Sequence, residues 1–309
     1  GGPRCLKYGV TSDYVLGLEL VLPNGTITRV GSRTHKNKTG FDFPRFFTGT
    51  EGLLCVVTEV TLKLLPLPPY RAALSVGMPS IAAAAKGLRR IFKAGFLPSA
   101  LEIADEFTLK AATQRTGSRR LVGCRGHLIV ELDGQEKSVR SELRDVKRLL
   151  EPLKPRFVDQ ALGVEAVEAI WQLRREFSYS LRDTGLVKLN EDIVVPRGCL
   201  EKLLAFTDRL QKKHGMPVAC FGHAGDGNIH VNVMVNDTQA GHEQRRDAAL
   251  DELFRWVVKH DGVITGEHGI GIAKKRWWPL AAGPEVRRLH QTVKEALDPK
   301  GIMNPGKFL

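Results

Sequence analysis

Phe221-Gly222-His223-Ala224-Gly225-Asp226-Gly227-Asn228-Ile229-His230-Val231-Asn232-Val233 decides how the rest of the chain is read. From Ile229 onward, Ile229, Val231, Val233 and Val235 alternate with His230, Asn232 and Met234. Neighbouring side chains of a strand point to opposite faces, so one face is apolar and the other carries His230 and Asn232 together. The apolar run Pro217 to Phe221 comes just before, which makes the six residues between Phe221 and Asn228 the connection of a hairpin. Gly222, Gly225 and Gly227 open conformations there that other residues avoid, and His223 can come to lie beside His230. Two histidines at a turn are, taken alone, ordinary.

A second segment changes the odds. Gly266-Glu267-His268-Gly269-Ile270-Gly271 is too irregular for a helix interior and sets a carboxylate beside an imidazole. His223, His230 and Glu267 make a two-imidazole, one-carboxylate set of the catalytic kind, which leaves a position open for substrate and suits a divalent ion such as Zn, Mn or Fe. His268 would then be the free base. The competing reading of Glu267 and His268 is an exposed loop pair. A third group runs from Trp171 to Ser178 and on from Lys188 to Pro196. Arg174 and Ser178 lie four apart on a helix and can meet one anion, and Lys188 opens the next strand. Arginine offers a carboxylate a bidentate fork and lysine a compact second charge, although surface arginines on amphipathic helices are common.

Around these segments the elements follow a recognisable order. Tyr14 to Leu22, Asn24-Gly25 and Thr26 to Val30 form a hairpin, and Glu59 to Leu65 a strand that stops at Pro66, Pro68 and Pro69. Beyond lie strands Arg71 to Met78, Ala100 to Ile103 and Leu121 to Leu132, with helices Ser80 to Ala94 and Gln135 to Leu150. Val139, Leu143, Val146 and Leu150 share one face of the latter. Further helices are expected at Val164 to Leu181, Cys199 to His214 and Arg246 to Lys259. Leu250, Leu253, Phe254, Val257 and Val258 follow the helical period in the last of these. The pattern is α+β: helices cover an antiparallel sheet.

Composition narrows the class. A chain of 309 residues, 42% hydrophobic, is long enough for about two domains. The longest apolar candidate, Val56 to Pro66, is short and carries Glu59 and Lys63, so no membrane span is expected. Gly1 instead of Met at the start leads us to expect a longer reading frame, and no signal peptide is visible. Five widely spaced cysteines without a CxxC pair fit a reducing, cytoplasmic setting, either free or peripheral at the inner face of the membrane. The net charge of +12 is dispersed without a nucleic-acid module pattern, so nucleic acid is not an expected partner. That charge would mildly attract anionic substrates.

His223 to His230, Gly266 to Gly271 and the closing Leu297 to Lys307 resemble signature segments of the FAD-linked oxidase family that includes the glycolate oxidase flavoprotein subunit and D-lactate dehydrogenase. Lys7-Tyr8-Gly9, the Asn24-Gly25 hairpin, Lys36 to Gly40 and Gly49-Thr50-Glu51-Gly52 resemble the second half of that family's FAD domain. The resemblance implies a partial FAD-binding domain of the vanillyl-alcohol-oxidase type at 1–68, a substrate (cap) domain at 69–264, and a segment returning to the flavin at 265–309. It implies a first FAD subdomain, with the diphosphate loop, upstream of Gly1-Gly2, so the 309-residue chain alone is expected to hold FAD weakly. Leu53 and Cys55 stand where the family usually has threonine and glycine.

Oxidation of a small 2-hydroxy acid to the 2-oxo acid is the implied activity. Hydride would pass to FAD, His268 would take the proton, and the metal would sit on His223, His230 and Glu267. Arg174, Ser178, Lys188 and Asn232 would meet the substrate. Gly9, Gly49, Glu51, Gly52, Val57 and Asn304 would surround the flavin, with Lys307 nearby. Electrons would leave to an iron-sulfur subunit, an electron-transfer flavoprotein or a cytochrome. Two other readings stay open: a metal-dependent hydrolase using the same ligand set, and a cofactor-poor subunit acting as a binding module.

Overall fold

Asn24-Gly25 closes the first hairpin as its residue types require. In the computed structural model, which describes residues 1–309, Cys5–Tyr8 (α1) is a single helical turn, and Val15–Val21 (β1) pairs antiparallel with Ile27–Gly31 (β2). Phe43–Phe47 (α2) follows, and Val56–Leu62 (β3) takes the other edge of β1. The third strand begins at Val56, not at Glu59, because register with β1 sets its limits: Val56 faces Val21, and Leu62 already faces Val15.

After the prolines the chain forms Tyr70–Met78 (β4), Ile81–Lys93 (α3), Ala100–Asp105 (β5), Glu106–Thr116 (α4), Gly126–Gly134 (β6) and Glu136–Leu150 (α5). Phe157–Leu162 (β7), Val164–Arg182 (α6), Val187–Val194 (β8), Leu200–His214 (α7), Val218–His223 (β9), Asn228–Val235 (β10) and His242–Lys259 (α8) come next. Trp278–Ala281 (α9) and Pro284–Leu297 (α10) close the list. Ser80 starts α3 because its hydroxyl accepts the Ala83 N–H at 3.1 Å. The expected face of α5, Val139, Leu143, Val146 and Leu150, is wholly buried.

Three differences from the sequence expectation have local causes. The strand expected from Leu121 starts only at Gly126, since Arg119–Leu121 is a 3₁₀ turn and the backbone at Gly126 runs too close to Ser80 O for any side chain. Helix α4 was not expected: its buried residues are Thr108, Leu109, Ala111 and Ala112, which give little apolar rhythm. Its ends are nevertheless marked by the Asp105 cap and a left-handed Gly117. The β9–β10 connection is Ala224 to Gly227, shorter than expected, because β9 runs on to place His223 opposite Asn228.

The chain divides into two units. One comprises Gly1, Gly9–Leu67 and Glu267–Leu309, the other Gly2–Tyr8 and Pro68–Gly266. The first unit holds the three-stranded sheet β2-β1-β3, and Leu53 and Cys55 are buried in its core with Leu18, Leu20 and Phe47. The second holds a seven-stranded sheet, β7-β4-β6-β5-β9-β10-β8, antiparallel at every paired strand. Residues paired across antiparallel strands share a face. Leu74, Leu101, Val130, Cys220, Ile229 and Val231 therefore lie on one face, under α3, α5, α7 and α8. Ser75, Glu102, His127, Glu131, Asp192, His223, His230 and Asn232 lie on the other, under α4 and α6.

Candidate active site

The β9–β10 hairpin fixes the two histidines. Gly227 turns the chain at φ of 87°, and a Cβ there would stand 2.1 Å from Val195 O, so no other residue fits. His223 and His230 face each other edge to face, with ring centroids 5.5 Å apart. Burial, with His223 and Arg174 nearby, pulls His230 down to about 4, so its ring is neutral at pH 7.

A residue that sequence reasoning passed over stands beside them. Glu102, buried in β5, accepts from His223 Nδ1 and from Arg174 Nε, each at 2.6 Å. Burial alone would raise its pKa, but the Arg174 and His223 charges outweigh it and hold the carboxyl at about 2. A carboxylate can only accept, so Nδ1 of His223 carries the hydrogen of this bond, and in the neutral ring Nε2 is the nitrogen with the lone pair. The available signal was a lone charge inside an apolar strand, since a buried carboxylate requires partners.

Arg174 rises from α6 with its Cζ 4.7 Å from the Phe221 ring centre. The residue one turn on, Ser178, is engaged by Lys188: the ammonium donates to its hydroxyl at 2.7 Å. Burial, then repulsion by Arg182 and Arg174, lowers Lys188 to about 8. The two expected cations, with Ser178 between them, thus stand on one side of the sheet, with Phe221 beneath both charges. Asn232 is fully buried and turns its amide N–H groups to the Ala219 and His230 carbonyls, while its Oδ1 accepts no hydrogen bond. Asp192, opposite His230 and also passed over, accepts from Asn228 Nδ2 at 2.6 Å, Thr265 Oγ1 at 3.1 Å and Gly266 N at 2.8 Å. It anchors the residue that immediately precedes Glu267.

In the first unit, Glu51 adopts φ of 52° and its carboxylate accepts from the Ile270 and Gly271 N–H groups, both at 2.8 Å. Gly269 takes φ of 80°, a conformation that residues with a Cβ rarely adopt, so the loop carrying His268 favours glycine there. Asn304 donates to Glu51 O at 2.5 Å. Glu51 and Asn304, expected at the flavin, therefore also hold the backbone of the loop. Gly52 lies 3.6 Å from the Asn304 amide at its would-be Cβ; Val57, Glu267 and His268 are exposed.

Comparison with known proteins first defines the fold. The chain superposes on 4-ethylphenol oxidase from Gulosibacter chungangensis with a TM-score of 0.71 at 15% identity, covering 96% of this chain and 66% of that one. For p-cresol methylhydroxylase the TM-score is 0.70 at 17% identity, covering 96% and 65%. Mixed helix and antiparallel sheet of the vanillyl-alcohol-oxidase type is thus the fold. Residues 67–308 match the family described as FAD linked oxidases, C-terminal domain, and the chain belongs to it. Glycolate oxidase subunit GlcD of Bacillus subtilis (strain 168) is 33% identical over all of this chain and 66% of its own length. D-lactate dehydrogenase of Anaerostipes hadrus is 29% identical over all of this chain and 66% of its own. The chain spans about two thirds of the length of these relatives. No helix is long and apolar enough to cross a membrane.

Proposed function

We propose that the chain carries the substrate and metal site of an FAD-dependent dehydrogenase that oxidises a small 2-hydroxy acid, of the glycolate or D-lactate kind, to the 2-oxo acid. One observation carries the reading: two buried imidazoles, one with its Nδ1 held by Glu102, lie on the same sheet face as Arg174 and Lys188. Metal ligands must be deprotonated, and burial keeps His230 in that form at neutral pH. His223 Nε2 and His230, with the Glu267 carboxylate, fit a divalent ion such as Zn, Mn or Fe.

The cofactor suits the first unit as well. Gly49 takes φ of 86° with no protein atom within 4 Å of a would-be Cβ, so a planar ring can approach its backbone. Gly9, Gly52 and Val57 complete that edge in our reading, and Glu51 and Asn304 support it. When bound, the ion would supply positive charge at the substrate hydroxyl and FAD would supply the two-electron acceptor.

The chain's own residues do the rest. Arg174 offers its terminal nitrogens to the substrate carboxylate, because Nε is engaged by Glu102. Lys188, with Ser178 beside it, adds the second cation. Asn232 offers Oδ1 to the substrate or a ligand. His268 takes the hydroxyl proton as the C2 hydride leaves. Electron transfer onward to an acceptor protein belongs to the proposal, as does a cytoplasmic or inner-membrane-face setting. The test is anaerobic mixing of the FAD-loaded protein with glycolate and with D-lactate: the flavin absorbance should bleach with one of them. A flavin that stays oxidised with every small 2-hydroxy acid tried would defeat the reading.

A further inference from the structure

A carboxylate accepts hydrogen bonds and cannot donate them, so it can serve two donors at once, one on each oxygen. Glu102 does this between elements far apart in the chain. Oε2 receives Arg174 Nε–H from α6, and Oε1 receives His223 Nδ1–H from the end of β9, each at 2.6 Å. Glu102 and His223 are almost wholly buried and Arg174 nearly so, and neutralising one arginine would require only the first of these bonds. The second bond is equally short and fixes a ring.

We propose that Glu102 is a positioning residue that couples the two halves of the site: it holds His223 in the Nδ1–H tautomer and, through its other oxygen, aims the Arg174 fork. The proposal rests on the preceding section only in naming a metal and a carboxylate as the groups these residues face. Tautomer and fork orientation follow from the hydrogen bonds alone. Orientation of a ligating histidine by a carboxylate behind it is a general means of setting metal affinity.

The coupling has a chemical signature. In Glu102→Gln the side chain keeps its size, but one end becomes an NH₂ donor. If that end faces His223, Nδ1 must accept, the hydrogen moves to Nε2, and the lone pair intended for the metal is lost. If it faces Arg174, two donors oppose each other and the guanidinium turns away. An amide cannot satisfy both partners. Glu102→Asp keeps both acceptor oxygens on a shorter stem and should restore the tautomer.

The test uses the full chain, metal-free, with ¹⁵N-labelled histidine and arginine, and His223→Gln and Arg174→Lys to assign the two resonances. Wild type should show His223 protonated at Nδ1. Glu102→Gln should show it protonated at Nε2 or show a displaced Arg174 Nε–H, and Zn²⁺ affinity by chelator competition should fall ~10- to 100-fold, with Glu102→Asp nearer wild type. His223 protonated at Nε2 in wild type overturns the proposal, and that measurement decides even if Glu102→Gln does not fold. A Glu102→Gln protein with unchanged His223 and Arg174 resonances and unchanged Zn²⁺ affinity also overturns it. Expected resonances in all three proteins without any Zn²⁺ uptake would support positioning by Glu102 and count against the metal reading instead.

Discussion

The two faces of the seven-stranded sheet are made by the same strands and differ at every second residue. Leu101 and Glu102 are neighbours in β5, both about 1% exposed, pointing opposite ways. Leu101 enters an apolar layer under α3, where contact area supplies stability and any close-packed apolar side chain of similar volume serves. Glu102 enters a layer in which each polar group needs a particular partner, and buried polar groups left unpaired cost ~1–3 kcal/mol each. One face can drift in sequence while keeping its volume. The other is committed to geometry, and that is the mark of a site.

The comparison can be broken by mutation. The largest effect should come from the proposed base: His268→Ala should lower flavin reduction by ~10² to 10⁴, while Arg174→Ala should mainly raise KM. Pre-steady-state reduction against substrate concentration and pH separates the two. A His268→Ala protein that reduces flavin at the wild-type rate with an unaltered pH profile places the base elsewhere. Leu101→Ala, on the apolar face, should cost ~2–5 kcal/mol of unfolding free energy in denaturant titrations. It should leave KM alone, and a change in KM without a loss of stability would erase the distinction between the faces.

Two smaller effects depend on pH. His127, bonded to Ser75 Oγ at 2.8 Å, is pushed down to about 4 by burial and by Arg174. Its folded pKa lies below its unfolded value, so the unfolded chain takes up the proton first as pH falls. The neutral ring's contribution is complete above about 6.5 and is lost between there and about 4, a fall of roughly 3 kcal/mol. His127→Phe should lack that part of the pH dependence of stability, and identical slopes for both proteins would show the ring is not buried neutral. Lys188 is the mildest case. Lowered to about 8, it is charged at pH 7 and discharges above 8, so KM for the 2-hydroxy acid should climb there by up to ~10-fold. Lys188→Arg, always charged, should flatten the rise, and an equally steep rise in that variant would assign it to another group.

Much of this was legible where the signal is local. Asn24-Gly25 announces its hairpin, the period of Val139 to Leu150 announces α5, and alternation from Ile229 sorts His230 and Asn232 onto one face. Pairing order was not legible, because no local pattern says that β5 lies beside β9. Glu102 reaches His223 across 121 residues, and only sheet topology brings them together. Asp192 was visible in a run beside Lys188, yet its task of holding Gly266 depends on a contact 74 residues away. Glu51 drew attention as a flavin neighbour, while its bonds to Ile270 and Gly271 came from a loop more than two hundred residues on.

Metal content is the most direct test of whether the polar face is a reaction site. Elemental analysis of the purified protein should find about one divalent ion per chain, lost in His223→Ala and in His230→Ala and retained in Val231→Ala on the opposite face. Equal metal in all four proteins, or none in wild type after incubation with Zn²⁺, Mn²⁺ or Fe²⁺, would contradict the account and leave the two histidines as a buried pair of rings packed edge to face.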